Sequence, residues 1–547
     1  MTMPSKSLLL CAALLLSRPC LAADPSIAAR LYGALPLVRD AHLSPDGNYL
    51  ALVSGATGEE QFGMMTVAGK EARRIPIADG TSSPGGTIRP SWIAWKGQSR
   101  LLAGALACEE SEDGTPVVTT KGYTISSGGT GTVSPLYLEK INGPNLPLQF
   151  RDRVVGFAPD DSSHVLIEAR VTDSLYPDVE QVDVETGIGT TLTPKRLGVT
   201  DWLADGTGAV RLSVAFPHKD LRRVISVRRK DDSEWLTLHE DRVGQDPAFV
   251  PIAFSRRDPA LLFIGVEDDS RHLTLREFDT NTMSFGKVVA ADTEADATPI
   301  LRAGELIGYR IGTQPILYLD GVWNKTAADL RKVLPGAEIE LVDSSEDGRR
   351  FLVLVTEGAR PSTYYLLDRR DGQRYLDPIG ATYGDQVVSQ SAPVMTVSYP
   401  AQDGTMLSAF ITLPQGRSSG PVPFVVLAHD GPAGHDDPRF DYVAQFLASR
   451  GYGVFQPQFR GSTRSPAAAP VSTASFDALA SSRPLPPVAN AASMNQVYNN
   501  GMGIVGFGFG LTGLKAKAQV EAYTGAFGRS AGSLDQFQRE TPFASTV

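Results

Sequence analysis

The sequence predicts two architectures in succession: a β-propeller of about seven blades over residues 30–385, then an α/β domain that opens near residue 390. Three observations predict this. A turn rich in Ser, Pro, Asp and Gly, followed by a short apolar strand, keeps returning through the first part. Near residue 390 it gives way to a continuous apolar run, a helical period and another strand. After Thr463 both patterns stop. The 547 residues are more than one core's worth of chain. With 42% hydrophobic and 20% charged residues, a disordered chain, a coiled coil and a collagen-like fibre are all excluded. The high Gly and Pro content suits many turns and short strands. A net charge of -10 without a basic run argues against nucleic acid as a partner.

Residues 1–23 read as a secretory signal. Lys6 precedes an apolar stretch over residues 8–16, too short to span a bilayer, and small residues lie before Ala23. Removing the signal leaves 49 basic against 61 acidic residues and Cys108 as the remaining cysteine. An internal disulfide is then impossible. The expected location is the periplasm or the extracellular medium. No other stretch approaches the length of a membrane span.

The repeated unit is seen at Ser44-Pro45-Asp46-Gly47 before Tyr49-Leu50-Ala51-Leu52-Val53, and at Trp92-Ile93-Ala94-Trp95 before Leu101-Leu102-Ala103. It returns at Pro159-Asp160-Asp161 before residues 164–167, Asp205-Gly206 before 209–212, Arg257-Asp258-Pro259 before 261–264, and Glu346-Asp347-Gly348 before 351–355. Most units lie roughly 45–65 residues apart, near the spacing of propeller blades. A weaker unit over residues 301–310 fills the largest gap. A second strand type, alternating and ending in an acidic turn, recurs at residues 181–187, 275–281 and 365–372 and fits a neighbouring strand of each blade. A pair of β-sandwiches is the other reading of the pattern.

From residue 394 the chain reads as two strands joined by Gln402-Asp403-Gly404. Residues 424–428 follow as a run expected to be a strand buried on both faces. His429-Asp430-Gly431-Pro432 ends that run. A helix is expected over residues 440–449, stopped by Arg450-Gly451, and a strand over 453–457.

These residues resemble the opening of the catalytic domain in the prolyl oligopeptidase family of serine peptidases, which includes dipeptidyl and acylaminoacyl peptidases. The resemblance rests on Tyr399, Asp403-Gly404, Leu413-Pro414 and Val425-Val426-Leu427, then His429-Asp430-Gly431-Pro432. Phe440-Asp441, Arg450-Gly451-Tyr452 and Phe459-Arg460-Gly461-Ser462-Thr463 complete it. It implies a β-propeller followed by an incomplete α/β-hydrolase domain, an oligopeptide substrate, and hydrolysis through an acyl-enzyme without a cofactor. It also assigns the oxyanion-hole region to His429, Asp430 and Gly431, with the Gly431 backbone as donor. Such donors stabilise the tetrahedral oxyanion by about 2.7–4 kcal/mol each. The usual second motif is His-Gly-Gly-Pro, so Asp430 departs from it and sets a carboxylate near the developing charge.

The family also requires a Ser on a strand-to-helix turn, then an Asp, then a His. Gly416-Arg417-Ser418-Ser419-Gly420 lies before the apolar strand, in an expected surface loop. Gly528-Arg529-Ser530-Ala531-Gly532 has no buried run before it and no His after it; the last histidine is His435. Ser530 is therefore the one candidate nucleophile, and it lacks its partners. Residues 464–547 carry six basic and four acidic residues, begin rich in Ala, Pro and Ser, and turn Gly-rich over 501–513. The expectation is a chain truncated or frameshifted after Thr463, with an atypical tail and no hydrolysis. A non-catalytic propeller that binds peptides or a protein partner is the alternative. No metal site is expected: the histidines lack zinc-ligand spacing, and the acidic turns lack a twelve-residue calcium loop.

Overall fold

The structure is a computed structural model. It describes residues 25–459 except 70–71, 78–87, 111–115, 128–131, 139–149, 170–175, 218–221, 230–233, 243–246, 270–271, 371, 402, 417–421 and 430–434. The signal at 1–23, the tail at 464–547 with Ser530, the motif at Ser418, and Asp430 and Gly431 all lie outside the described residues.

After helix α1 (Pro25–Tyr32), the described residues from 40 to 381 form seven sheets, each a run of antiparallel strands consecutive in the chain, with one parallel addition in the second. Sheet one holds β1 (Asp40–Leu43), β2 (Tyr49–Ser54), β3 (Gln61–Thr66) and β4 (Ala72–Ile75). Sheet two holds β5 (Arg89–Lys96), β6 (Arg100–Glu110), β7 (Pro116–Ser126) and β8 (Val133–Pro135), with β9 (Phe150–Arg151) parallel to β7. Sheet three holds β10 (Val154–Gly156), β11 (His164–Ala169), β12 (Asp178–Asp183) and β13 (Gly189–Thr193). Sheet four holds β14 (Val199–Ala204), β15 (Val210–Ala215), β16 (Arg222–Val227) and β17 (Leu236–Arg242). Sheet five holds β18 (Phe249–Phe254), β19 (Leu261–Glu267), β20 (Leu273–Asp279) and β21 (Ser284–Ala290). Sheet six has three strands, β22 (Ala297–Arg302), β23 (Glu305–Ile311) and β24 (Leu317–Tyr318), followed by helix α2 (Gly321–Val333). Sheet seven holds β25 (Glu338–Ser344), β26 (Arg350–Thr356), β27 (Thr363–Arg370) and β28 (Gln373–Ala381).

The repeated turns explain the hairpins. Gly47 and Gly348 stand at φ +73° and +65°, where a side chain would be strained. In the same two turns Ser44 and Ser345 donate to Asp46 and Asp347, each at 2.6 Å. Those carboxylates accept the backbone N–H groups of Asn48 (2.9 Å) and Arg349 (3.0 Å), which pre-forms the turn. The second recurrent strand type falls on β12, β20 and β27, the third strand of its sheet each time. The weaker unit over 301–310 is the β22–β23 hairpin.

Each sheet packs its apolar face on the next. Ala51 and Val53 of sheet one meet Ile93 and Leu101 of sheet two. The series continues through Leu102 with Val165, Leu166 with Trp202, Leu212 with Leu262, Leu275 with Ala297, and Tyr318 with Phe351. Leu352 of sheet seven then meets Leu43 of sheet one, so the packing returns to its start. This cyclic order is consistent with a propeller-like domain. Cations tie neighbours together at the turns, Lys96 and Arg211 buried and Arg350 partly so. Lys96 donates to the carbonyls of Phe157 and Ala158, Arg211 to Pro259 at 3.1 Å, and Arg350 to Gly47 at 2.8 Å.

Beyond α3 (Asp385–Gln390) a second unit contains β29 (Val394–Pro400), β30 (Met406–Thr412), β31 (Phe424–Val426), α4 (Tyr442–Ser449) and β32 (Gly453–Gln458). Its sheet order is β29-β30-β32-β31, with β31 parallel to β32 and the other pairs antiparallel. α1 packs on α3 and α4, so the start of the described chain belongs to this unit. One expectation is corrected here. β31 lies at the sheet edge, and Phe424 and Val426 are 50% and 67% exposed rather than buried on both faces. An apolar run records the strand; burial depends on what covers it, and no described element does.

Candidate functional site

The site is built at the C-terminal ends of the two parallel strands, where open α/β sheets place ligands. β31 leaves its last ladder bond at Leu427, whose N–H donates to Phe455 at 2.9 Å, and reaches His429 two residues later. β32 ends at Gln458, and Phe459 follows. The rings of His429 and Phe459 stack at 4.2 Å with 21° between their planes. The two strand ends are thereby held together, and the residues assigned to the oxyanion hole, Asp430 and Gly431, follow immediately in the chain. Their positions lie outside the described residues.

From His435 the described chain builds a charged turn. Arg439 grips Asp437 through two nitrogens, with Nε at 2.8 Å from Oδ2. Burial raises the Asp437 carboxyl, but Arg439 outweighs it and holds the group below its ordinary range. Burial works against the Arg439 charge; Asp437, Glu338 and Glu340 outweigh that and hold the guanidinium more firmly charged than usual. Glu338 and Glu340 belong to β25, so the turn faces sheet seven. Glu338 also pairs with Arg310 at 2.5 Å. Burial pushes the Glu340 carboxyl up, with Arg310 and Arg439 opposing it. A second contact joins the units where Tyr383 packs on Phe440 at 4.9 Å.

α4 fixes the far side of the loop. Asp441 caps it by accepting from the N–H groups of Val443 (2.8 Å) and Ala444 (3.0 Å), the helix start that sequence expected two residues earlier. Its other oxygen accepts from Gln456 of β32 at 3.2 Å. Buried Gln458 accepts from the Asp436 N–H at 3.3 Å. Gln445, 1% exposed, exchanges two hydrogen bonds with the backbone of Ala392, at 2.7 and 2.9 Å.

Of the residues expected at the site, the structure describes His429 alone and gives it a stacked partner. Sequence reading missed Arg439, Asp437 and the two glutamates of β25. The charged run His435-Asp436-Asp437-Pro438-Arg439 was the available signal, but its partners lie about 100 residues away. Among the described residues, no group of three or more His, Cys, Asp or Glu side chains is arranged to hold a metal ion. Among them, too, no helix is long and apolar enough to cross a membrane.

No family model matches the chain. Dipeptidyl aminopeptidase BIII of Pseudoxanthomonas mexicana is 23% identical over 476 residues, covering 81% of this chain. The chain spans 63% of that relative's length. Among solved structures, a puromycin-hydrolyzing peptidase of Mycobacterium tuberculosis aligns with a TM-score of 0.51 and 15% identity, over 81% of this chain and 69% of its own. Prolyl oligopeptidase B from Galerina marginata aligns with a TM-score of 0.52 and 11% identity, over 81% of this chain and 64% of its own. The resemblance first read in residues 394–463 to prolyl-oligopeptidase-family peptidases thus extends over most of the chain, in sequence and in fold.

Proposed function

We propose that this protein is an exported, peptide-handling relative of the prolyl oligopeptidase serine peptidases. In this reading the seven sheets are a propeller that admits short peptides. The second unit is the opening of an α/β-hydrolase domain and presents the oxyanion side of the reaction through His429, Asp430 and Gly431. The observation that carries the reading is the pair of parallel strands β31 and β32, whose C-terminal ends are joined by the stacked rings of His429 and Phe459 at 4.2 Å. The similarity to a dipeptidyl aminopeptidase supports short peptides as the ligand class.

Within residues 1–547 no His follows Ser530, so the family's Ser-Asp-His order cannot be built on that serine, and these residues are proposed to hold peptides without turning them over. Labelling with a fluorophosphonate probe tests this. The expected result is no labelling, together with saturable binding of oligopeptides to the full chain. Labelling that disappears in Ser530→Ala would instead establish Ser530 as a nucleophile and overturn the reading. The sequence features of residues 1–23 support export. N-terminal sequencing of the protein recovered from a periplasmic fraction should begin near Asp24; an intact Met1 there would refute cleavage.

A further inference from the structure

The sheet of the second unit ends on one side in β29, and β30 is the strand paired along it. The hairpin register decides which backbone groups of β29 remain open. The Ala401 N–H donates to the Thr405 carbonyl at 2.8 Å, and the ladder runs without a shift from Pro400 opposite Met406 to Val394 opposite Thr412. Backbone groups along an antiparallel strand alternate between its two sides. Met395, Val397 and Tyr399 therefore turn their N–H and C=O toward β30. Val394, Thr396 and Ser398 turn theirs to the free edge, where no described strand meets them.

Such an edge recruits a further strand unless charge, proline or a bulge blunts it. Among the seven sheets, the last strands that reach seven residues are blunted. β17 carries Glu240, Asp241 and Arg242, β21 carries Lys287, and β28 carries Arg374 and Asp377. β29 reads Val-Met-Thr-Val-Ser-Tyr-Pro, seven residues with no charge, no break in the ladder and no proline before the last position. Thr396 and Ser398 are exposed along it, and Met395 is 44% exposed.

The open edge is also self-complementary. Two copies can lie antiparallel about a twofold axis at Thr396. Val394 then faces the partner's Ser398, Thr396 the partner's Thr396, and Ser398 the partner's Val394. All three positions turn outward, so each open N–H in the run meets an open C=O of the other copy. Met395 comes to lie opposite the partner's Val397, an apolar pair on one face. The opposite edge of the sheet fits a second copy less well, because β31 has three residues and starts directly after Pro423.

We propose that β29 is the interface between two copies of this chain, which join their four-stranded sheets into one continuous sheet. The pairing depends on neither peptide binding nor hydrolysis.

Sedimentation velocity of the full chain across about 1–100 μM tests this, with a dimer expected at the upper end. Thr396→Lys and Thr396→Glu each set like charges opposite one another across the axis and should weaken the dimer at least about tenfold. Mixing the two variants one to one should restore a dimer, a result that unfolded chains could not give. Val426→Lys, on β31, should leave the dimer as it is. Amide exchange on the parent gives a readout without any substitution: residues 394–399 should exchange more slowly at the dimeric than at the monomeric concentration. A monomer throughout the range would overturn the proposal. So would a dimer that persists in both Thr396 variants, or one that Val426→Lys abolishes, since either places the contact elsewhere. Exchange over residues 394–399 that ignores concentration would overturn it too. Variants that share the parent's circular dichroism spectrum yet fail to dimerise when mixed would overturn the pairing at Thr396.

Discussion

Replacing Asp343 by Asn should open the seam between the first and last sheets. No strand is shared across that seam, so side chains close it. Asp343 is 4% exposed at its side chain. One oxygen accepts from His42 Nδ1 at 2.8 Å and from the Leu43 N–H at 3.1 Å; the other pairs with Arg302 Nε at 2.6 Å. The amide keeps the shape and removes the charge, which leaves two cations facing a neutral group. Breaking a buried pair in this way costs about 3–5 kcal/mol. His42 and Arg302 keep 26% and 33% of their side-chain exposure, so water takes over part of the loss, and about 2–4 kcal/mol is expected. Urea unfolding followed by tryptophan fluorescence reads the effect, because the Trp95 indole donates to the His42 carbonyl at 3.1 Å. The midpoint should fall by roughly 1 M. The pH dependence sharpens the test. Burial lowers the His42 pKa, but Asp40 and Asp343 outweigh it and push it up to about 10. A raised folded-state value means that the charged His42 stabilises fully below about pH 6.5 and loses that contribution as pH rises through 10. The gap between parent and Asp343→Asn should therefore narrow from pH 6 to pH 10. An unchanged midpoint at pH 6, or a gap of constant size across that range, would refute the reasoning.

Two further outcomes follow from buried polar groups elsewhere. Burial raises the Glu168 carboxyl to about 7, Arg153 at 3.1 Å opposes it, and Asp201 adds to the rise. Because the folded value lies above the unfolded one, its contribution is present below about pH 4.5 and lost as pH climbs through 7. Thermal unfolding should therefore show Glu168→Gln near neutral at pH 5 and stabilising at pH 8; destabilisation that grows toward pH 8 would refute this. Gln445→Leu keeps the volume of a buried side chain but strips the Ala392 N–H and C=O of their partner. A loss of about 2–4 kcal/mol is expected, with faster amide exchange in α4 than in sheets one to seven. Protection in α4 equal to the parent's would show that Gln445 does not anchor the helix.

Much of the first part was legible because its information is local. A Ser, an Asp and a Gly within four residues pre-form a turn by their own hydrogen bonds, and the apolar strand after it is written in adjacent letters. The period of those turns therefore announced the sheets before any contact was known. Beyond residue 390 the apolar runs and the helical period likewise placed β29, β30, β32 and α4 within a few residues. What the letters did not carry was partnership. His42 and Asp343 are 301 positions apart, and Arg439 faces glutamates of β25. Charges meet there only because sheet seven packs on sheet one and the second unit meets sheet seven's end at Tyr383 and Phe440. β31 gives the converse case. Its composition specified a strand, but Phe424 and Val426 remain exposed because burial belongs to the neighbour and not to the residue. The sequence by itself determined turns, strands and family resemblance, all set by short-range stereochemistry. Tertiary structure alone decided which charges are paired, which faces are covered and where a ligand can enter, because each depends on surfaces contributed by segments distant in the chain.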